Sequence, residues 1–287
     1  MDAARITDSL CYHTEGPRWS ATWGDGGALR WVDMLAGDFL ELDPRTGAIS
    51  RTATGSPVVA CVRPRADGGA VLAVEKGFAL QDPDGTISLL PELWSEDVRM
   101  NEGAIAPDGS FYAGTMAYSR AEGAASMWRL LPDGSSRRVA TGLTTSNGLD
   151  FTPDRARAFY IDTPTHRIDI LDWDDEHGLV ERRALIDLSE EDGNPDGLTI
   201  DADGRIWVAM NGAGTVLCLE ESGEVLERIR VGARQSTACT FGGPDLATLY
   251  ITTSRENLDP GEDPTAGSLY AVEPGARGQA DELLFRG

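Results

Sequence analysis

Four pairs of an oxygen-bearing side chain and a following glycine stand just ahead of a short strand and a hairpin turn: Glu15-Gly16, Glu102-Gly103, Asn147-Gly148 and Asp196-Gly197. The surrounding segments read EGPRWS, NEGAIAPDGSFYAGTM, NGLDFTPDRARAFYID and DGLTIDADGRIWVAM. Glu15, Asn147 and Asp196 together offer two carboxylates and an amide carbonyl. Oxygen donors of this kind suit a hard divalent cation such as Ca²⁺, Mg²⁺ or Mn²⁺. Three protein ligands leave positions open for water and substrate, as a catalytic metal requires. Without a cation, carboxylates converging on one point repel each other. Asx and Gly are common at strand ends whatever the function. What sets these pairs apart is that all four share one phase of a repeat.

That repeat is made of short apolar-aromatic runs at 29–32 (LRWV), 71–74 (VLAV), 111–114 (FYAG), 159–162 (FYID), 206–209 (IWVA) and 249–252 (LYIT). A turn signal precedes each: DGG at 25–27 and 67–69, PDG at 107–109, PD at 153–154, ADG at 202–204 and GPD at 243–245. Proline fixes φ, and Asp-Gly supplies the positive φ that tight hairpins use. Further strand-like stretches follow, as at 38–42, 167–171 and 215–219, and no long, capped 3.6-residue period occurs. A period of roughly 40–50 residues with several short strands per copy is the mark of a propeller blade. The expected fold is all-β: one six-bladed β-propeller of four-stranded blades around a central channel, spanning 1–287. Residues before the first repeat are expected to pair with the C-terminal end and so remove the exposed edges. If the strand carrying the polar-Gly pairs is the innermost of its blade, the polar groups meet at one mouth of the channel. The glycines would then allow close backbone packing near the axis.

At these residues the sequence resembles the gluconolactonase/regucalcin family, also called the senescence-marker-protein family. The matching motifs are EGPRW at 15–19, RMNEG at 99–103, PDGSFYAGTM at 107–116, SNGLDFTPD at 146–154, NPDGLTIDADGRIWVA at 194–209 and CTFGGPDLATLYITTS at 239–254. They cover nearly the whole chain in order. The resemblance implies a six-bladed propeller with one divalent metal in the channel, held by Glu15, Asn147 and Asp196. Ca²⁺ is the first expectation, and Zn²⁺, Mn²⁺, Mg²⁺ and Fe²⁺ are the alternatives. It also implies that Arg99 and Asn101 contact substrate oxygens. Repeat phase favours Glu102 where the family pattern favours Asn101. Because neighbours on a strand face opposite ways, only one is expected to reach the channel, and Asn101 is the choice. After the GTMA segment, animal regucalcin-like members carry an acidic pair, whereas this chain has Tyr118 and Ser119, which bears on substrate choice.

The reaction that the resemblance implies is hydrolysis of a sugar lactone to an aldonic acid. A cation would polarise the lactone carbonyl, stabilise the developing oxyanion and lower the pKa of water. Asp196 is the expected general base, and Arg99 would orient the substrate. Two other readings compete. A related propeller phosphotriesterase would call for a second metal or further Asn/Asp ligands. A non-catalytic propeller binding a cation or a protein would carry an exposed patch on one face.

Charge and composition narrow the field further. Asp plus Glu number 47 against 25 Lys plus Arg, a net charge of −22. Such a surface repels phosphate backbones and anionic bilayers, so neither nucleic acid nor membrane is an expected partner. The four cysteines, Cys11, Cys61, Cys218 and Cys239, form no CxxC pair. With no signal-peptide pattern at 1–10, free buried thiols in a reducing cytoplasm are expected. His13, His166 and His177 show no HxH or HExxH spacing and read as structural or surface residues. No GxSxG elbow is present. Trp31, Trp128 and Trp207 fall in strand runs and read as inter-blade packing.

Overall fold

A computed structural model describes residues 1–287. Twenty-four strands form six four-stranded antiparallel sheets, and the helical content is two three-residue 3-10 turns. Each sheet is a blade. The innermost strands are Thr14–Ser20, Val59–Pro64, Val98–Ile105, Ser146–Phe151, Asn194–Ile200 and Ser236–Gly242, for blades 1 to 6 in order. Each packs against the innermost strand of the next blade, and blade 6 meets blade 1.

The apolar-aromatic runs form the second strand of every blade, from Ala28–Asp33 to Thr248–Thr253. They are buried on both faces, which explains why they read as continuous apolar runs. Trp207 of blade 5 stacks edge-on against Phe241 of blade 6, with ring centroids 5.4 Å apart. Trp31 shares a cluster with Tyr250 and Leu269 of blade 6. Both therefore pack between blades, as their strand positions predict. All four cysteines are buried and free.

The ring closes as the sequence suggests. Ala4–Arg5 adds the outer strand of blade 6, pairing Ala4 with Ala271 and Arg5 with Tyr270. The turns after the innermost strands behave as the Asp-Gly signals require, with Gly109 at φ +82°. Blades 4 and 6 depart from this: PDR replaces PDG in blade 4, and Arg155 itself adopts φ +62°, while Leu246 in the GGPDL turn of blade 6 adopts φ +55°, a conformation L side chains seldom take.

Candidate active site

Every innermost strand carries a β-bulge at the same end. The register slips between Glu15 and Arg18, Val59 and Cys61, Met100 and Glu102, Ser146 and Leu149, Pro195 and Leu198, and Ser236 and Cys239. A bulge bends the strand and re-aims its side chains. Glu15, Asn147 and Asp196 sit in three of these bulges, at one mouth of the channel, and all three are buried. The other blades place Cys61 and Ala238 beside the axis. There a Cβ on Gly16 would come within 2.9 Å of Ala60 O, and one on Gly197 within 2.4 Å of Ala238 Cβ. These glycines are therefore required for blade-to-blade contact.

Neighbouring side chains fix how the three oxygen donors point. Thr163 Oγ1 gives its one proton to Pro195 O at 2.9 Å, so it accepts from Asn147 Nδ2 at 3.0 Å. That orientation leaves Asn147 Oδ1 buried without a partner. Asn211 Nδ2 donates to Asp196 Oδ2 at 3.0 Å, and Asp196 Oδ1 is likewise buried and unpartnered. Glu15 Oε2 accepts from the Gly16 N–H at 3.0 Å. Second-strand carboxylates hold the supporting loops: Asp162 accepts from the N–H groups of Thr144 and Thr145, and Asp33 from those of Tyr12 and His13.

The electrostatics are those of a cluster short of positive charge. Burial pushes Asp196 up to about 7; the Asn211 hydrogen bond opposes this and the Glu102 charge adds to it. Burial, then Asp196 and then Glu102, raises Glu15 well above the usual carboxylate range. Two orphaned oxygens beside a second carboxylate are the donor set a hard divalent cation satisfies. No three His, Cys, Asp or Glu side chains converge on one point. The further unpartnered oxygen beside the carboxylates is the Asn147 amide Oδ1.

Glu102 behaves differently, although it shares the repeat phase. Arg63 Nη2 contacts Glu102 Oε1 at 2.6 Å. Arg63 also donates to the carbonyl oxygens of Gly103 at 2.8 Å, Gly16 at 3.1 Å and Val62 at 3.0 Å. It thus ties blades 1, 2 and 3 together across the channel. The Met100–Glu102 bulge breaks strict alternation here, and both Asn101 and Glu102 are buried. Asn101 Oδ1 accepts from Arg99 Nη1 at 2.7 Å, and its Nδ2 donates to Ser146 O at 2.9 Å. Tyr118 stands half-exposed at the mouth, its hydroxyl donating to Glu75 Oε1 at 2.8 Å. Sequence reasoning passed over Arg63, Asn211 and Thr163, while His13, read as a structural or surface residue, is buried. The His13 ring sits 2.7 Å from Ser254 Oγ, and burial followed by the Arg99 charge lowers it to about 3, so it is neutral.

Residues 13–255 match the family model described as the SMP-30/gluconolactonase/LRE-like region. The chain belongs to this family. It is 35% identical over 263 residues to a 6-deoxy-6-sulfogluconolactonase of Pseudomonas putida, covering 89% of this chain and 90% of that one. It is 32% identical over 289 residues to a pentonolactonase of Haloferax volcanii, covering 98% and 97%. Among solved structures, a calcium-binding regucalcin of Agrobacterium tumefaciens superposes with a TM-score of 0.90 at 26% identity, over 100% of this chain and 98% of that one. The SMP-30 family fold is thus the six-bladed ring that the repeat predicts. No helix of the chain is long and apolar enough to cross a membrane.

Proposed function

We propose that the protein is a divalent-metal-dependent sugar lactonase. The observation that carries this reading is the pair of buried, unpartnered oxygens, Asn147 Oδ1 and Asp196 Oδ1, beside Glu15. Relatives that are lactonases of sulfogluconate and pentonate type support the choice of substrate class. Glu15, Asn147 and Asp196 are the residues that hold the cation, with Ca²⁺ the first candidate. When bound, the cation supplies Lewis acidity toward the lactone carbonyl.

The side chains then divide the remaining work. Asn211 and Thr163 keep the Asp196 and Asn147 oxygens turned toward the channel. Asp196 is the base that accepts the proton of the attacking water. Asn101 braces Arg99 through the 2.7 Å bond, and the rest of the guanidinium meets substrate oxygens and the emerging carboxylate. Tyr118, bonded to Glu75, shapes the entrance where the lactone's distal hydroxyls lie.

The test is to strip the protein with a chelator and follow acid release from a panel of pentono- and hexono-lactones, restoring one divalent metal at a time. Turnover that returns with metal on a sugar lactone is expected. Turnover that persists in full without metal, or activity confined to phosphotriesters, contradicts the reading.

A further inference from the structure

The opposite end of the channel holds a second cavity, of about 420 Å³. Its inner end is Arg63, whose pairing with Glu102 separates it from the carboxylate mouth. Its floor is the segment 276–287, which is tied to every blade. Glu282 bonds Ser20 of blade 1, Phe285 bonds the backbone of Pro64 and Ala66 of blade 2, and Arg286 bonds Gly109 of blade 3. Gln279 donates to Phe151 O of blade 4 and Ile200 O of blade 5, and Gly278 bonds Leu246 of blade 6. Arg155, in its left-handed conformation, donates to Gln279 Oε1 at 2.8 Å and fixes the floor further.

Two kinds of wall face this space. Leu149, Leu198, Phe241 and Leu283 supply apolar surface. Among the polar groups, Asp150 is fully engaged: Oδ1 accepts from Phe151 N at 2.9 Å, and Oδ2 from Ile200 N at 3.0 Å and Thr199 Oγ1 at 3.2 Å. Arg18 and Glu282 are not. Arg18 Nε is a buried donor with no partner, and Glu282 Oε1 is a buried acceptor with none, although Glu282 Oε2 accepts from Ser20 Oγ at 3.0 Å. The Arg18 charge is felt by both Glu282 and Arg155, so the three groups share one local field. Buried polar groups in folded proteins are rarely left unmatched, and each unmatched group calls for a partner.

We propose that this cavity is a second ligand site, which takes a small hydroxycarboxylic acid with an apolar body. The carboxylate meets the Arg18 guanidinium, the hydroxyl donates to Glu282 Oε1, and the carbon skeleton lies against Leu149, Leu198 and Phe241. A polyhydroxylated sugar acid matches this lining poorly, since most of its hydroxyls would face apolar walls. The exposed residues Ala21, Gly26, Pro244 and Ala280 border the cavity and provide its access to solvent.

The experiment is calorimetric titration of the full chain with 4-hydroxybenzoate, benzoate and gluconate, with lactone turnover measured on the same preparations. Binding of 4-hydroxybenzoate is expected, weaker by roughly tenfold or more in Arg18→Met, with lactone turnover unchanged. Benzoate is expected to bind several-fold more weakly than 4-hydroxybenzoate to the wild type and equally to Glu282→Gln, which isolates the hydroxyl contact. Three results overturn the proposal: no binding of 4-hydroxybenzoate, binding that Arg18→Met leaves intact, or binding of gluconate in preference. Water alone bridging Arg18 and Glu282 in crystals grown with 4-hydroxybenzoate overturns it as well.

Discussion

Glu102 and Asp196 occupy equivalent places in blades 3 and 5, each followed by glycine at a bulge of the innermost strand. Their surroundings separate them. Glu102 meets Arg63 at 2.6 Å and accepts from Gly103 N at 2.8 Å. Asp196 has one oxygen held by Asn211 and the other buried and free. Position in the repeat nominates a residue for the channel, while hydrogen-bond satisfaction tells a brace from a ligand. A satisfied ion pair adds rigidity, whereas unsatisfied oxygens cost stability and are kept for what they bind.

If that contrast holds, the largest effect falls on activity at the unsatisfied side. Asp196→Asn and Glu15→Gln are expected to lower lactone kcat/KM by roughly 10²–10³-fold or more. The metal-free melting temperature should stay the same or rise, because a buried carboxyl whose charged form is disfavoured gives way to a neutral amide. Steady-state kinetics with thermal melting checks both; a large loss of stability would place these residues with Glu102. On the satisfied side the pattern reverses. Glu102→Gln leaves the Arg63 charge buried without its partner, which costs about 3–5 kcal/mol of stability. Denaturant unfolding measures that loss, and turnover per folded molecule should change little. If turnover collapses while stability holds, Glu102 is a ligand after all.

A smaller effect belongs to the supporting residues. Asn211→Ala releases Asp196 Oδ2 and is expected to weaken metal affinity by roughly 10–100-fold, readable by titration with Ca²⁺ and Mn²⁺. The smallest is a pH effect. In the metal-free protein Asp196 keeps its proton up to about pH 7 because of burial and nearby Glu102, while in the unfolded chain an aspartate loses it near pH 4. Between those values the native state binds more protons, so stability is greatest below this window and falls as pH rises through it. Melting curves across the window should show this decline without metal. Asp196→Asn should lessen it, leaving the part that raised Glu15 contributes, and saturating divalent cation should lessen it too.

Much of this architecture was legible in the sequence. Six apolar-aromatic runs with preceding turns gave the blades, because a doubly buried second strand leaves a continuous local pattern. The shared phase of Glu15, Asn147 and Asp196 was legible, and all three are buried in the innermost strands of blades 1, 4 and 5. Asn101 and Glu102 were less so: period-two alternation does not hold across the Met100–Glu102 bulge, and no local residue type announces a bulge. Arg63 reads as an ordinary arginine at a strand end. Its partner lies 39 residues away, and only ring closure brings them together. The floor of the channel was equally hidden, since residues 276–287 carry no repeat signal and act through contacts with all six blades.

The most direct measurement is calorimetric titration of chelator-stripped protein with Ca²⁺, alongside Glu15→Gln and Asp196→Asn, followed by lactone turnover of each sample. The account predicts one binding event in the wild type, restoration of turnover in step with its saturation, and loss of both in the two variants. Equal Ca²⁺ binding by all three proteins, or wild-type turnover indifferent to occupancy, would contradict it.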